Sequence, residues 1–103
     1  TIIECEPTLE ARNLMADRIQ TETGATFIHP SNDLHVIAGQ GTACMELLQE
    51  HPDLDFVVVP VGGGGLIAGT ALAAHYFGDN CKVIGGEPFE VDDAYRSLLR
   101  GKI

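Results

Sequence analysis

The feature that most constrains this chain of 103 residues is a run of four glycines, Gly62 to Gly65, set between two apolar segments. Phe56-Val57-Val58-Val59-Pro60 precedes it, and the Ala-rich stretch Leu66 to Phe77 follows. An unbroken β-branched run predicts a strand of a parallel sheet covered on both faces. The second segment is long enough for three turns of apolar helix. Glycines between them let the backbone reverse sharply, because they lack a Cβ. Gly78-Asp79-Asn80 is a turn by composition, and Cys81 to Gly86 reads as a returning strand. Strand, glycine turn, helix and returning strand make a β-α-β unit, whose two strands run parallel.

The same alternation extends to both sides. Thr1 to Cys5 is short and β-prone. Pro7 sits where a helix begins, with Glu10 in its first turn. Ala11, Leu14, Met15 and Ile19 recur at helical spacing, and Gly24 is the expected stop. Ala25 to Ile28 reads as a second strand, and the segment from His29 to Val36 as a loop and the seam between two lobes. Ile37 to Gln49 reads as a helix closed by His51-Pro52-Asp53. Asp92 to Leu99 reads as a last helix ended by Gly101. The expected order is β-α-β-α-β-α-β-α, an α/β chain with a parallel sheet and right-handed crossovers.

Charge narrows the partners. Acidic residues outnumber basic ones 15 to 6, for a formal net charge of −9. The footprint needed for a nucleic-acid backbone is absent, and an anionic membrane surface is disfavoured for the same reason. The apolar stretch from Phe56 to Phe77 is broken by Pro60 and the glycines, so no segment reads as a membrane span. No basic region followed by an apolar one marks a signal peptide. Cys5, Cys44 and Cys81 are far apart and lie among apolar neighbours. They read as buried small hydrophobes in a reducing, cytoplasmic setting. His29, His35, His51 and His75 lack metal-ligand spacing, and a structural role is expected even for His29 at the seam. A start without Met, inside an expected strand, is what a piece of a larger protein would show.

The glycine run also carries chemistry. A phosphate needs several donors converging on one point. Glycine amides can turn inward as an anion-binding nest, and the following helix adds free N-terminal amides and its dipole. No Lys or Arg occurs between residues 56 and 81, so the backbone must supply the positive potential. A tight turn without a ligand and a nucleotide pyrophosphate are the alternatives. The dinucleotide fingerprint fits poorly, and a P-loop is excluded because no Lys-Ser/Thr follows the glycines.

Several segments in order carry a resemblance: Glu6-Pro7, His29-Pro30, Val36 to Thr42, Val58 to Leu66, Glu87-Pro88 and Asp92-Asp93. Together they resemble the serine racemase and serine/threonine dehydratase family of fold type II pyridoxal-phosphate enzymes. The resemblance covers the whole chain but only a middle section of the family's sequence. It implies that residues 1–31 end a small substrate domain and that residues 32–103 belong to the large cofactor domain. Gly62, Gly63, Gly64, Gly65 and Leu66 would then hold the phosphate of pyridoxal 5'-phosphate. Arg12 corresponds to a position near the substrate entrance. Ser31 stands where racemases carry Asn, with Asn32 beside it as the substitute. Glu87, the carbonyl of Val91, and Asp93 correspond to a divalent-cation site. On the residues alone, Glu87, Glu90, Asp92 and Asp93 read first as a solvated acidic turn opening a helix. As oxygen donors they suit Mg²⁺ or Ca²⁺.

The resemblance further implies a homodimeric parent acting on serine or threonine as an ammonia-lyase or a racemase. Its Schiff-base lysine belongs to a segment before Thr1. Lys82 and Lys102 are the only lysines here, and Lys82 reads as a surface residue, so no catalytic residue is expected in this chain. The chain alone is expected to be inactive. Phosphate loops of cysteine synthases, on the same fold, mix Thr among the glycines, which favours the dehydratase and racemase branch. A catalytically silent module that binds another phosphorylated ligand is the competing reading, and a structural piece without ligand a third.

Overall fold

The computed structural model describes residues 1–102. Its element order is α1 (Leu9–Thr23), α2 (Leu34–Glu50), β1 (Phe56–Pro60), α3 (Gly65–Phe77), β2 (Lys82–Gly86) and α4 (Asp93–Arg100). β1 and β2 pair in parallel, in register from Phe56 opposite Lys82 to Pro60 opposite Gly86. α3 connects them, so the expected β-α-β unit around the glycines is present and the class is α/β.

Local chemistry sets the helix ends. Thr8 caps α1 by accepting the Ala11 amide at 3.1 Å, which places Pro7 before the helix rather than at its first position. Gly24 ends it in the left-handed region at φ 71°. Asp33 caps α2 by accepting the amides of His35 and Val36 at 2.8 and 3.2 Å. This carboxylate starts the helix at Leu34, inside the segment read as a loop. Such a cap satisfies amides that the first turn leaves without a partner.

The core lies between α2 and α3. Cys44, Leu48, Ala73 and Ala74 are buried, with Met45, Leu54, Val57, Cys81 and Val83 packed against them. Leu48 is 1% exposed. Val57 and Val83 are register partners, so the sheet presents this face to the helices. Its opposite face stays open: Val58 is 71% exposed and its partner Ile84 is also exposed. The double-sided cover expected for β1 is therefore absent among the described elements, which place helices on one face only.

Two expected strands do not form. Thr1 to Cys5 and Ala25 to Ile28 carry no strand, because no described segment runs beside either to exchange backbone hydrogen bonds. A β-prone sequence becomes a strand only when it is paired. The observed order is thus α-α-β-α-β-α. α1 packs against no other described element, and Leu14, expected on its buried face, is exposed. Cys5, expected to be buried, is exposed on the unpaired N-terminal segment.

Candidate functional site

The site is built where β1 stops and α3 begins. Gly64 caps α3 from the left-handed region at φ 85°, a conformation open to glycine at little cost. No side chain caps this helix. The Gly64 carbonyl accepts the Ala68 amide at 3.0 Å, so the amides of Gly65, Leu66 and Ile67 begin the helix without a backbone acceptor in the preceding turn. They point out of the positive end of the helix dipole. Free amides at a helix N-terminus are a ready site for an anion.

A cavity of about 350 Å³ opens on these residues. Gly62 to Ile67 form one side, and Pro30, Ser31, Gln40 and Arg12 the other. Gln40, near the start of α2, donates from Nε2 to the Pro30 carbonyl at 3.2 Å and so fixes the turn carrying Ser31. Ser31 lies tight against the loop: a Cβ on Gly63 would fall 2.7 Å from Ser31 Cβ, and one on Gly65 would fall 2.9 Å from Ser31 Cα. Gly63 and Gly65 are therefore required by close approach, and Gly64 by its backbone angle. A Cβ on Gly62 would meet nothing within 4 Å, so that residue faces open space.

Arg12 changes the electrostatic reading. The sequence provides no cation within the strand, loop and helix, and the fold brings one from α1 to the edge of the same cavity. An anionic group at that edge would meet a guanidinium, in a cavity whose other side is lined by the glycine backbone. The sequence alone assigns neither Gln40 nor Ser31 these roles. Gln40 sits between Gly39 and Gly41 at the start of a helix, a placement consistent with a buttress only once the close approach is visible. Asn32 is exposed and does not line the cavity. Its amide donates to His29 Nδ1 at 2.9 Å, as does that of Ser31 at 3.2 Å, so His29 braces the turn as a structural residue.

The acidic turn takes a definite form. Glu87 accepts the Ala94 amide on Oε1 at 3.0 Å and the Tyr95 amide on Oε2 at 2.9 Å. It thereby caps α4 from well upstream of the helix. Asp92 pairs with Arg96 at 2.9 Å, while Asp93 opens the helix exposed. Among the described residues no three His, Cys, Asp or Glu side chains gather as metal ligands. Each Glu87 oxygen keeps a second lone pair beyond its amide bond, and carboxylate oxygens of this kind are what a hard cation takes. Lys82 is exposed on β2, away from the glycine loop's cavities. Lys102 lines a second, more apolar cavity of about 580 Å³ between the loop and α4.

Comparison with known proteins agrees with this geometry. The family described as "Pyridoxal-phosphate dependent enzyme" matches residues 1–103. The β-hydroxyaspartate dehydratase of Paracoccus denitrificans is 48% identical over 102 residues, covering 99% of this chain and 32% of the relative. The structure of maize serine racemase superposes with a TM-score of 0.94 at 43% identity, covering 100% of this chain and 31% of that one. The structure of a T.th. threonine deaminase does so at 0.88 and 44% identity, covering 98% and 34%. These neighbours are fold type II enzymes. The chain spans about a third of the length of the relatives it matches. Over that span, with its parallel β-α-β unit and uncapped glycine turn, it belongs to the pyridoxal-phosphate-dependent enzyme family.

Proposed function

We propose that the protein containing this chain is a pyridoxal-phosphate-dependent enzyme of β-hydroxy amino acids, acting on serine or threonine as an ammonia-lyase or a racemase. The observation that carries this reading is the uncapped start of α3 at Gly64, facing a cavity walled by Ser31, Gln40 and Arg12. The amides of Gly62 to Leu66 hold the cofactor phosphate. Bound pyridoxal phosphate supplies an electron sink for the charge left when the substrate's α-proton departs. Arg12 orients the substrate carboxylate at the cavity edge, with Asn32 a second contact on the neighbouring turn. Gln40 and Ser31 keep the loop from moving as charge shifts. No residue of this chain holds or moves the α-proton, so the chain alone is inactive.

Residues 1–31 end a small substrate domain and 32–103 belong to the cofactor domain. In support, α2, α3, β1 and β2, all within residues 32–103, pack together. Mg²⁺ or a similar cation sits on Glu87, the Val91 carbonyl and Asp93. The parent is a cytoplasmic homodimer. Among the described residues no helix is long and apolar enough to cross a membrane.

The test is made on the full-length protein. A visible absorbance band of bound pyridoxal phosphate, together with keto acid or inverted amino acid from serine or threonine, is the expected result. A second reading, a silent module for another phosphorylated ligand, is favoured by the chain's having only Lys82 and Lys102 as lysines. Tighter binding of ATP than of pyridoxal phosphate, without turnover, would establish it.

A further inference from the structure

The last helix carries a cluster of cations that serves none of the chemistry above. Half of the six basic residues in this acidic chain, Arg96, Arg100 and Lys102, line one cavity of about 340 Å³ together with Asp93 and Ser97. The helical repeat puts Asp93, Arg96, Ser97 and Arg100 on a single face of α4, at spacings of three and four. Lys102 joins them because the chain doubles back. Gly101 takes the left-handed region at φ 63°, and the amides of Gly101 and Lys102 both donate to the Ser97 carbonyl. The helix dipole accounts for a cation at this end. It does not account for Arg100 standing one turn from Arg96, a like-charge spacing that repels, with Lys102 lining the same cavity. Asp92 accepts from Arg96 Nε at 2.9 Å, which leaves the N–H groups on the terminal nitrogens of that guanidinium. Among the described residues, neither Arg100 nor Lys102 enters an ion pair.

We propose that this cavity binds a diphosphate group, at a site separate from the glycine-loop cavity. None of its five lining residues borders the cavity that Arg12, Ser31 and Gln40 wall. Charge and size set the class of ligand. Three cations face one carboxylate, so a monoanion would neutralise only part of the excess. The volume corresponds to roughly ten water molecules, more than a single phosphate fills. A diphosphate carries several negative charges on adjacent oxygens, and guanidinium forks match such oxygens in geometry. Lys102 supplies a compact charge and Ser97 a hydroxyl donor. Asp93 sets the position within the cavity. It stands seven residues before Arg100, about 10 Å along the helix axis, so the ligand lies at the Arg100 and Lys102 end. Ser97 and Lys102 also line the larger cavity that reaches Gly62, Gly63 and Gly64, so the two cavities share a wall.

Titration calorimetry of the full-length protein with inorganic pyrophosphate tests this, in EDTA and with pyridoxal phosphate at saturation. The cofactor then occupies the glycine loop, and EDTA keeps divalent cations off Asp93. The expected result is binding that weakens with added salt and is tighter than that of inorganic phosphate. Arg100→Gln combined with Lys102→Gln should weaken it about 10-fold, with the melting curve in the absence of pyrophosphate unchanged. If that double variant does not fold, Lys102→Gln alone, at an exposed residue, should weaken binding about 5-fold. Arg12→Gln, at the other cavity, should leave it unchanged. ADP binding more tightly than pyrophosphate would identify a nucleotide as the bearer of the group, and equal or weaker binding a free diphosphate. No binding of pyrophosphate at millimolar concentration would overturn the proposal. So would wild-type affinity in the Arg100 and Lys102 variants, or equal affinity for phosphate and pyrophosphate. The variants locate the site whether or not the cofactor binds, so this test and that of the cofactor fail separately.

Discussion

Gly69 of α3 meets Gly41 of α2 backbone to backbone: a Cβ on Gly69 would fall 2.7 Å from the Gly41 nitrogen, and one on Gly41 would fall 2.6 Å from the Gly69 carbonyl oxygen. The crossing sets how near Gln40 can stand to the glycine loop, since Gln40 adjoins Gly41 and the loop opens α3. No flexible side chain is available to yield, so the backbone must move. Gly69→Ala should cost about 3 kcal/mol, the upper end of the overpacking range, although alanine is the better helix former. Urea unfolding of both forms measures it. An unchanged midpoint would mean that the helices do not meet this closely.

Gly63 and Ser31 give a sharper test of the cavity wall, because the clash at Gly63 is with a side chain. Gly63→Ala should weaken pyridoxal phosphate binding about 10-fold, equivalent to about 1.4 kcal/mol. The Cβ and Oγ of Ser31 are what stand in the way. Adding Ser31→Gly removes both atoms and should recover most of the loss. Adding Ser31→Ala should not, since the Cβ remains. Gly65→Ala meets the Ser31 Cα and carbonyl instead, at 2.9 and 3.1 Å, so Ser31→Gly should leave that variant unrescued. Fluorescence titration with the cofactor distinguishes these variants.

The part of the fold legible in the sequence is the part whose contacts are local. The strand Phe56–Pro60, the glycine turn and α3 follow from consecutive residues, and α3 begins one residue before expectation because Gly64 is its cap. The strands expected at 1–5 and 25–28 depend on partners, and propensity alone does not supply them. Asp33 reads as part of a loop, but its carboxylate satisfies two amides and starts α2. At the site, the glycines are legible because their function is in the backbone. Ser31, Gln40 and Arg12 reach the loop from distant parts of the chain, and neither spacing nor periodicity encodes that approach.

Arg12 is exposed on α1 and makes no packing contact with another element, so its removal should leave stability nearly unchanged. Its place at the cavity edge gives it a role in binding. A charge-assisted hydrogen bond is worth about 1.5–3 kcal/mol, so Arg12→Ala in the full-length protein should raise KM for serine or threonine by roughly 10- to 100-fold. Arg12→Lys should recover part of the affinity, because the charge remains while the two-pronged geometry is lost. Steady-state kinetics with a parallel melting curve tests both. A fall in Tm with KM unchanged would assign Arg12 to structure.

Glu87 separates a helix cap from a cation ligand. Its two oxygens each accept an amide at the start of α4, so Glu87→Ala should destabilise by about 1–2 kcal/mol even without metal, a loss typical of a missing cap. Asp93 is exposed, so Asp93→Asn removes a charge and leaves those two bonds in place. A cation bound only to the folded state raises Tm as its concentration passes Kd. Titrating Mg²⁺ should therefore raise Tm in the wild-type full-length protein and leave Asp93→Asn unmoved, while the metal-free curves of those two nearly coincide. An equal rise in both would place the cation elsewhere, and no rise in either would leave Glu87 as a cap alone.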